Sequence, residues 1–281
     1  MKEIINLKEM QTLSSTLRKN RQTIGFVPTM GFLHEGHTSL IKEAVRRGHQ
    51  AVVSIFVNSL QFGPTEDFEK YPRDLKGDAQ KCREAGAHTL FLPVAAEIIG
   101  KNPMAVVRIE KIMEVLCGAS RPGHFQGVAT IVLKLLNIVQ PDVLFMGTKD
   151  FQQTVVVKKM IQDFFIPAKL EVMPTVREAD GLAMSSRNSY LSQEERKSAA
   201  VLYRAMKKGE EAVLKGEKQA SVVKAIAEHE INKERLTAID YVKIIDPETL
   251  DEIKEMTGPA IIALAVRIGK TRLIDNLKLL S

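Results

Sequence analysis

The chain has 281 residues, 44% of them hydrophobic, which is enough to bury a substantial core; the length suits two modest domains better than one. Forty Lys and Arg against 34 Asp and Glu leave a formal charge of +6, a mild excess that suits an anionic small molecule as well as a nucleic acid. The basic residues are interspersed with acids, as in KKGEEAVLKGEK, and no aromatic-rich basic stripe occurs, so no nucleic-acid partner is expected. Cys82 and Cys117 lack CxxC spacing, which argues against a disulfide framework or structural zinc and fits a reducing compartment. The opening MKEIINLKEMQTL has no continuous apolar region, and no run of about 18 apolar residues follows, so a cytoplasmic protein with no membrane partner is expected.

In chain order, TIGFVP reads as a buried strand, HTSLIKEAVRRG as a helix ending at Gly48, and AVVSIFVN as a second strand, together a βαβ unit. HTLFLP is a further strand, VATIVLKLLNIV a helix, DVLFMG a strand, FQQTVVVKKMIQDF a helix and KLEVMPT a strand. Apolar strands alternating with helices predict a doubly wound, Rossmann-like parallel sheet in an α/β domain over residues 1–175. Beyond it the pattern changes. SQEERKSAAVLYRAMKKGEEAVLKG is one amphipathic helix, and AIDYVKIID and AIIALAVRIG are strands, giving a smaller α+β domain over 176–281 that is expected to cover the active site.

The stretch GFVPTMGFLHEGHTSLIKEA places His34 and His37 where the first strand gives way to a helix. With the helix beginning near Gly36, its free N–H groups and positive dipole end face the carboxyl edge of the sheet, where phosphates bind in such folds. The histidines then suit hydrogen bonding to phosphate oxygens. Two other readings stand beside this one: helix capping or packing, and, less readily, metal ligation, for which no third ligand or HExxH spacing exists.

The longer segment PTMGFLHEGH resembles the HxGH signature of the nucleotidyltransferase superfamily, in the form found in pantoate–β-alanine ligases. FVNSLQFGPTEDFEKYPRD, RPGHFQGVATIVLKLLNIVQPD, KDFQQ and PTVREADGLAMSSRNSYLS resemble that family's blocks in its order, spanning residues 25–192. The C-terminal part matches mainly through TRLIDN. The match departs at Ser59, where the family commonly has proline, at Thr148, and in AAEIIGKNPM.

The resemblance implies a two-step reaction on ATP, pantoate and β-alanine through pantoyl adenylate, with magnesium bound to ATP and a homodimeric enzyme. It implies that His34, His37, Lys149 and Arg187 act on the triphosphate, with Ser185 and Ser186 beside Arg187. Met30, Gly31, Gly147, Asp150, Val176 and Met184 are implied around the adenosine, and Asn58, Gln61 and Gln153 on pantoate. Asp150 has a second reading as a helix cap, Asn58 and Gln61 as turn formers, and the apolar neighbours as core. Asp78 is a candidate magnesium ligand, direct or through water, against the alternative of a solvent-facing helix residue. Arg121 and His124 sit in a Pro- and Gly-rich turn that suits a mobile cover. A nucleotidyltransferase that leaves the nucleotide on its product and an RNA-handling module are the competing classes.

Overall fold

The computed structural model describes residues 1–64 and 66–280. The chain begins with β1 (Lys2–Ile4), α1 (Leu7–Lys19), β2 (Ile24–Thr29), α2 (Glu35–Arg46), β3 (Gln50–Ile55), α3 (Leu75–Glu84) and β4 (Thr89–Phe91). There follow α4 (Ala95–Ile99), α5 (Cys117–Ser120), α6 (His124–Val139), β5 (Val143–Gly147), α7 (Phe151–Asp163) and β6 (Lys169–Met173). The last stretch holds α8 (Gln193–Ala199), α9 (Val201–Leu214), α10 (Ala220–Ile231), β7 (Thr237–Ile245), β8 (Ala260–Ile268) and β9 (Thr271–Leu280).

Two compact units result. One holds Met1–Gly147 with Gln153–Pro174, the other Thr148–Gln152 with Thr175–Ser281. A single cut after residue 175 would have put the short segment 148–152 in the first unit; its contacts place it in the second.

The first unit carries a six-stranded sheet in the order β1-β4-β3-β2-β5-β6, and every pairing in it is parallel. Strand residues alternate between two covered faces. Val27, Val53, Leu90 and Phe145 join Leu40, Ile41 and Ala44 of α2 and Ala79 and Cys82 of α3 in one core. Their neighbours in sequence, Phe26, Val52, Phe91 and Leu144, point to the other face and are also fully buried. Burial on both faces is why these strands read as continuous apolar runs. A fully buried side chain of this size contributes about 1.5–3 kcal/mol through removal from water. Strand order reverses between β2 and β5, so the switch point lies at their carboxyl ends, which continue into residues 30–34 and 148–150.

The second unit holds the antiparallel sheet β7-β8-β9, with α9 and α10 contributing to its own core through Leu202, Met206, Val223 and Ile231. The long helix expected over residues 192–216 is two helices. Ser192 caps α8 in a reciprocal box with Glu195, its hydroxyl accepting the Glu195 N–H at 3.3 Å and its own N–H donating to Glu195 Oε2 at 2.8 Å. At Ala200 a ψ of −17° tightens the turn and separates α8 from α9. Among the described residues, no helix is long and apolar enough to cross a membrane.

Candidate active site

The loop from β2 to α2 is fixed almost peptide by peptide. The Thr29 hydroxyl donates to Ser54 O at 2.8 Å and accepts the Gly31 N–H at 3.2 Å. Gly31 has φ +83°, and a Cβ there would lie 2.9 Å from Asp78 Oδ2 and 3.0 Å from Ile55 Cγ2, so conformation and space both call for glycine. The N–H groups of Phe32 and Leu33 then donate to the two oxygens of Asp78, at 2.8 and 2.6 Å, and Lys81 Nζ donates to Leu33 O at 2.6 Å.

Asp78 is therefore not a solvent-facing helix residue. It is 1% exposed, and burial pushes its carboxyl above the ordinary value, with the two backbone bonds and Lys81 pulling the other way. Both its oxygens accept bonds from the loop. Among the described residues no group of three or more His, Cys, Asp and Glu is placed to hold a metal ion. Asp78→Asn should destabilise the protein by about 1–3 kcal/mol, because the amide end turns donors toward an N–H that needs an acceptor. Urea denaturation reads this directly, and an unchanged midpoint would remove Asp78 as the anchor.

The loop ends in α2. His34 is its N-cap residue with extended backbone (φ −127°, ψ 179°), and His37 stands in the first turn, the two rings 4.1 Å apart between centroids. The His34 N–H donates to His37 Nδ1 at 3.2 Å. A nitrogen that accepts carries no hydrogen, so neutral His37 is protonated on Nε2. The His37 side chain thus caps the start of α2 and keeps its hydrogen on Nε2.

After β3, Asn58 opens a single 3-10 turn, Ser59–Gln61. Asn58 is buried: its oxygen accepts the Leu60 N–H at 3.1 Å, and its amide nitrogen donates to Gln61 Oε1 at 3.0 Å and Gly127 O at 3.1 Å. A Cβ on Gly127 would lie 2.2 Å from Leu60 O, so only glycine lets α6 come this close to the turn. Gln61 Nε2 in turn faces the Met30 sulfur at 3.1 Å, a weak acceptor. Gln153 is half-buried in the first turn of α7.

The turn expected as a mobile cover is tied in several places. Arg121 makes a two-pronged pair with Glu66, at 2.7 and 2.5 Å. His124 Nδ1 donates to Gln61 O at 2.8 Å, leaving Nε2 to accept from Arg121 Nη1 at 3.1 Å. Burial raises the Glu66 carboxyl, but the Arg121 guanidinium outweighs that and holds it below its ordinary value.

In the second unit, residues 148–150 form a 3-10 turn directly after Gly147. Lys149 Nζ lies 3.4 Å from Asp150 Oδ1, and a Cβ on Gly147 would meet no protein atom within 4 Å, so packing does not require glycine there. Residues 175–188 fold back on themselves. Met184 N–H donates to Val176 O at 3.0 Å and Arg177 bridges Ala183, so Val176 and Met184 are cross-strand neighbours. Gly181 makes the bend, its N–H donating to Glu178 O at 2.9 Å. The Ser185 hydroxyl accepts the Arg187 N–H at 3.3 Å and opens the 3-10 segment Ser186–Tyr190, in which Ser186 is buried. Asn188 closes the loop by donating to Glu178 Oε1 at 3.0 Å and Ala183 O at 3.1 Å.

Sequence reading assigned nothing to Arg177, Asp275 or Asn276, which hold this unit's loops. The TRLIDN motif was visible, but nothing local says what a polar pair in a strand would grip.

A doubly wound parallel sheet whose central strand runs through a glycine turn into a helix N-terminus bearing two histidines is the architecture of nucleotide-binding α/β enzymes. The family model for pantoate-beta-alanine ligase matches residues 2–278. Pantothenate synthetase of Caldicellulosiruptor bescii is 48% identical over 271 residues, covering 96% of each chain. The crystal structure of pantothenate synthetase from Thermus thermophilus superposes with a TM-score of 0.95 at 41% identity, covering all of both chains. That of pantoate-beta-alanine ligase from Francisella tularensis, complexed with beta-gamma ATP and beta-alanine, has a TM-score of 0.81 at 34% identity and covers 99% of this chain and 97% of its own. The chain belongs to the pantoate–β-alanine ligase family and is an enzyme of the ligase class.

Proposed function

We propose that the enzyme condenses pantoate with β-alanine to give pantothenate, AMP and pyrophosphate. A carboxylate oxygen of pantoate attacks the α-phosphorus of ATP, and the bond from that phosphorus to the bridging oxygen breaks as pyrophosphate leaves. The β-alanine amine then attacks the acyl carbon of pantoyl adenylate, the carbon–oxygen bond to phosphate breaks, AMP departs, and the amine proton passes to solvent. The observation that carries this reading is the β2–α2 loop, which presents His34 and the Nε2 hydrogen of His37 at a helix N-terminus.

The leaving pyrophosphate gathers negative charge, so the protein's task is to supply donors and cations rather than a nucleophile. His34, His37, Lys149, Ser185, Ser186 and Arg187 take that role, with the planar fork of Arg187 matched to phosphate oxygens. Met30, Gly31, Gly147, Asp150, Val176 and Met184 receive the adenosine. Gln61 and Gln153 hold pantoate. The Gln61 amide suits this because its N–H group faces a thioether, a weak acceptor, while Asn58, with both amide hydrogens engaged, orients Gln61. Magnesium entering with ATP would neutralise charge on the phosphates, while the two Asp78 oxygens anchor the loop through the Phe32 and Leu33 N–H groups. A cytoplasmic homodimer is the setting.

Exchange of labelled pyrophosphate into ATP should require pantoate and not β-alanine. Exchange without pantoate, or a product that retains the nucleotide, would overturn the reading.

A further inference from the structure

We infer that Asn276 is a positioning residue for adenylation: its side-chain amide sets where Lys149 stands. The inference rests on the role proposed for Lys149 and concerns contacts inside the second unit alone.

β9 is an edge strand, paired with β8, with Asp275 opposite Leu264 and Asn276 opposite Ala263. Successive residues of a strand face opposite ways, so the two side chains leave the strand in different directions. Asp275 takes the inward face with Leu273 and Leu279 and is 3% exposed. A carboxylate there is tolerated only with a close partner. Arg177 provides it, at 2.6 and 3.0 Å, and also donates to Gly181 O at 3.0 Å and Asn276 O at 3.3 Å while its guanidinium stacks 4.4 Å from the Tyr203 ring centroid. Asp275 Oδ1 accepts the Asn276 N–H at 2.8 Å. The backbone of Asn276 is thus held at both its N–H and its carbonyl.

From that fixed base the Asn276 amide nitrogen donates to Thr148 O at 2.9 Å and to Lys149 O at 3.0 Å. Two consecutive carbonyls converge on one nitrogen and use both its hydrogens. A neutral amide meets this need; a carboxylate would repel both carbonyls, and a hydroxyl offers a single hydrogen. The Lys149 turn is also steadied where Thr148 Oγ1 lies 3.2 Å from Thr175 Oγ1, whereas Asn276 reaches the Lys149 peptide itself. A catalytic cation displaced by about 1 Å can lower a rate by about a hundredfold, so a clamp on its own peptide bears directly on catalysis.

A double-mutant cycle on single-turnover formation of pantoyl adenylate tests this. Asn276→Ala should slow the step at least about tenfold, and Asn276→Ser, keeping one donor, should fall between it and the wild type. With Lys149→Ala already present, adding Asn276→Ala should cost no more than about a further twofold, since a positioning residue has nothing left to position. Capture of supplied pantoyl adenylate by β-alanine should be unchanged in Asn276→Ala, whereas partial unfolding would lower both half-reactions in the same ratio. If Asn276→Ala does not fold, the cycle is run with Asn276→Ser. Wild-type adenylation in the Asn276 variants, or a double mutant as slow as the product of the two single effects, would overturn the inference. Wild-type adenylation in Lys149→Ala would overturn the role of Lys149 and this inference with it.

Discussion

Replacing Lys149 with alanine should slow formation of the acyl adenylate by at least about a hundredfold, because a preorganised donor or cation aimed at developing charge contributes about 2.7–4 kcal/mol at the transition state. The pyrophosphate that leaves is more negative at its bridging oxygen than the ATP that entered, so a cation following that change stabilises the transition state more than the ground state. Lys149 sits in a short turn, its ammonium near Asp150 at 3.4 Å and its peptide carbonyl gripped by Asn276. The loss should therefore fall on kcat of adenylation with a smaller change in KM for ATP. Rapid-quench measurement of pantoyl adenylate in single turnovers gives the number, and a near-normal rate would return Lys149 to a structural role.

His37→Ala is expected to reach a similar size by a different route. The side chain donates from Nε2 because Nδ1 is occupied by the His34 N–H at 3.2 Å. Alanine removes the donor proposed for phosphate and also leaves that N–H without its acceptor at the start of α2. Adenylation should drop about a hundredfold or more, with a modest loss of stability beside it. Running thermal denaturation alongside the single-turnover assay separates the two effects. A variant that is less stable yet adenylates at the normal rate would leave His37 as a cap alone.

The parts of the fold that could be read from the chain are those where burial governs every position. β2, β3 and β5 are apolar on both faces, so their composition alone marks them, and their order with α2, α6 and α7 fixed the parallel class. β9 escaped because its inward face carries Thr271 and Asp275 among the leucines, which breaks the period of two. The polar intruder is the residue that holds Arg177, so the same feature that hid the strand does its job. α1 was passed over, although Asn6 announces it by accepting the Lys8 and Glu9 N–H groups at 2.9 and 3.1 Å. At the candidate site, the roles expected of His34, His37 and Arg187 came from the resemblance of their motifs to the family's, since residue type and spacing alone left capping, packing and a surface turn open. The anchoring role of Asp78 was not legible, because a buried carboxylate bonded to two peptide N–H groups from a distant loop leaves no local trace.

The excursion of residues 148–152 into the second unit, between two stretches that belong to the first, makes the chain cross from one to the other three times. Modules laid out in this interleaved way cannot be parted by one scission or traded between relatives as a cassette. A fragment ending at Pro174 would carry Lys149 but not the amide that clasps it, and a chimaera joined at that point would inherit its lysine from one parent and the setting of that lysine from the other. Recombination that respects the enzyme has to take 148–152 together with the C-terminal strand, two segments far apart in the gene and inseparable in the protein.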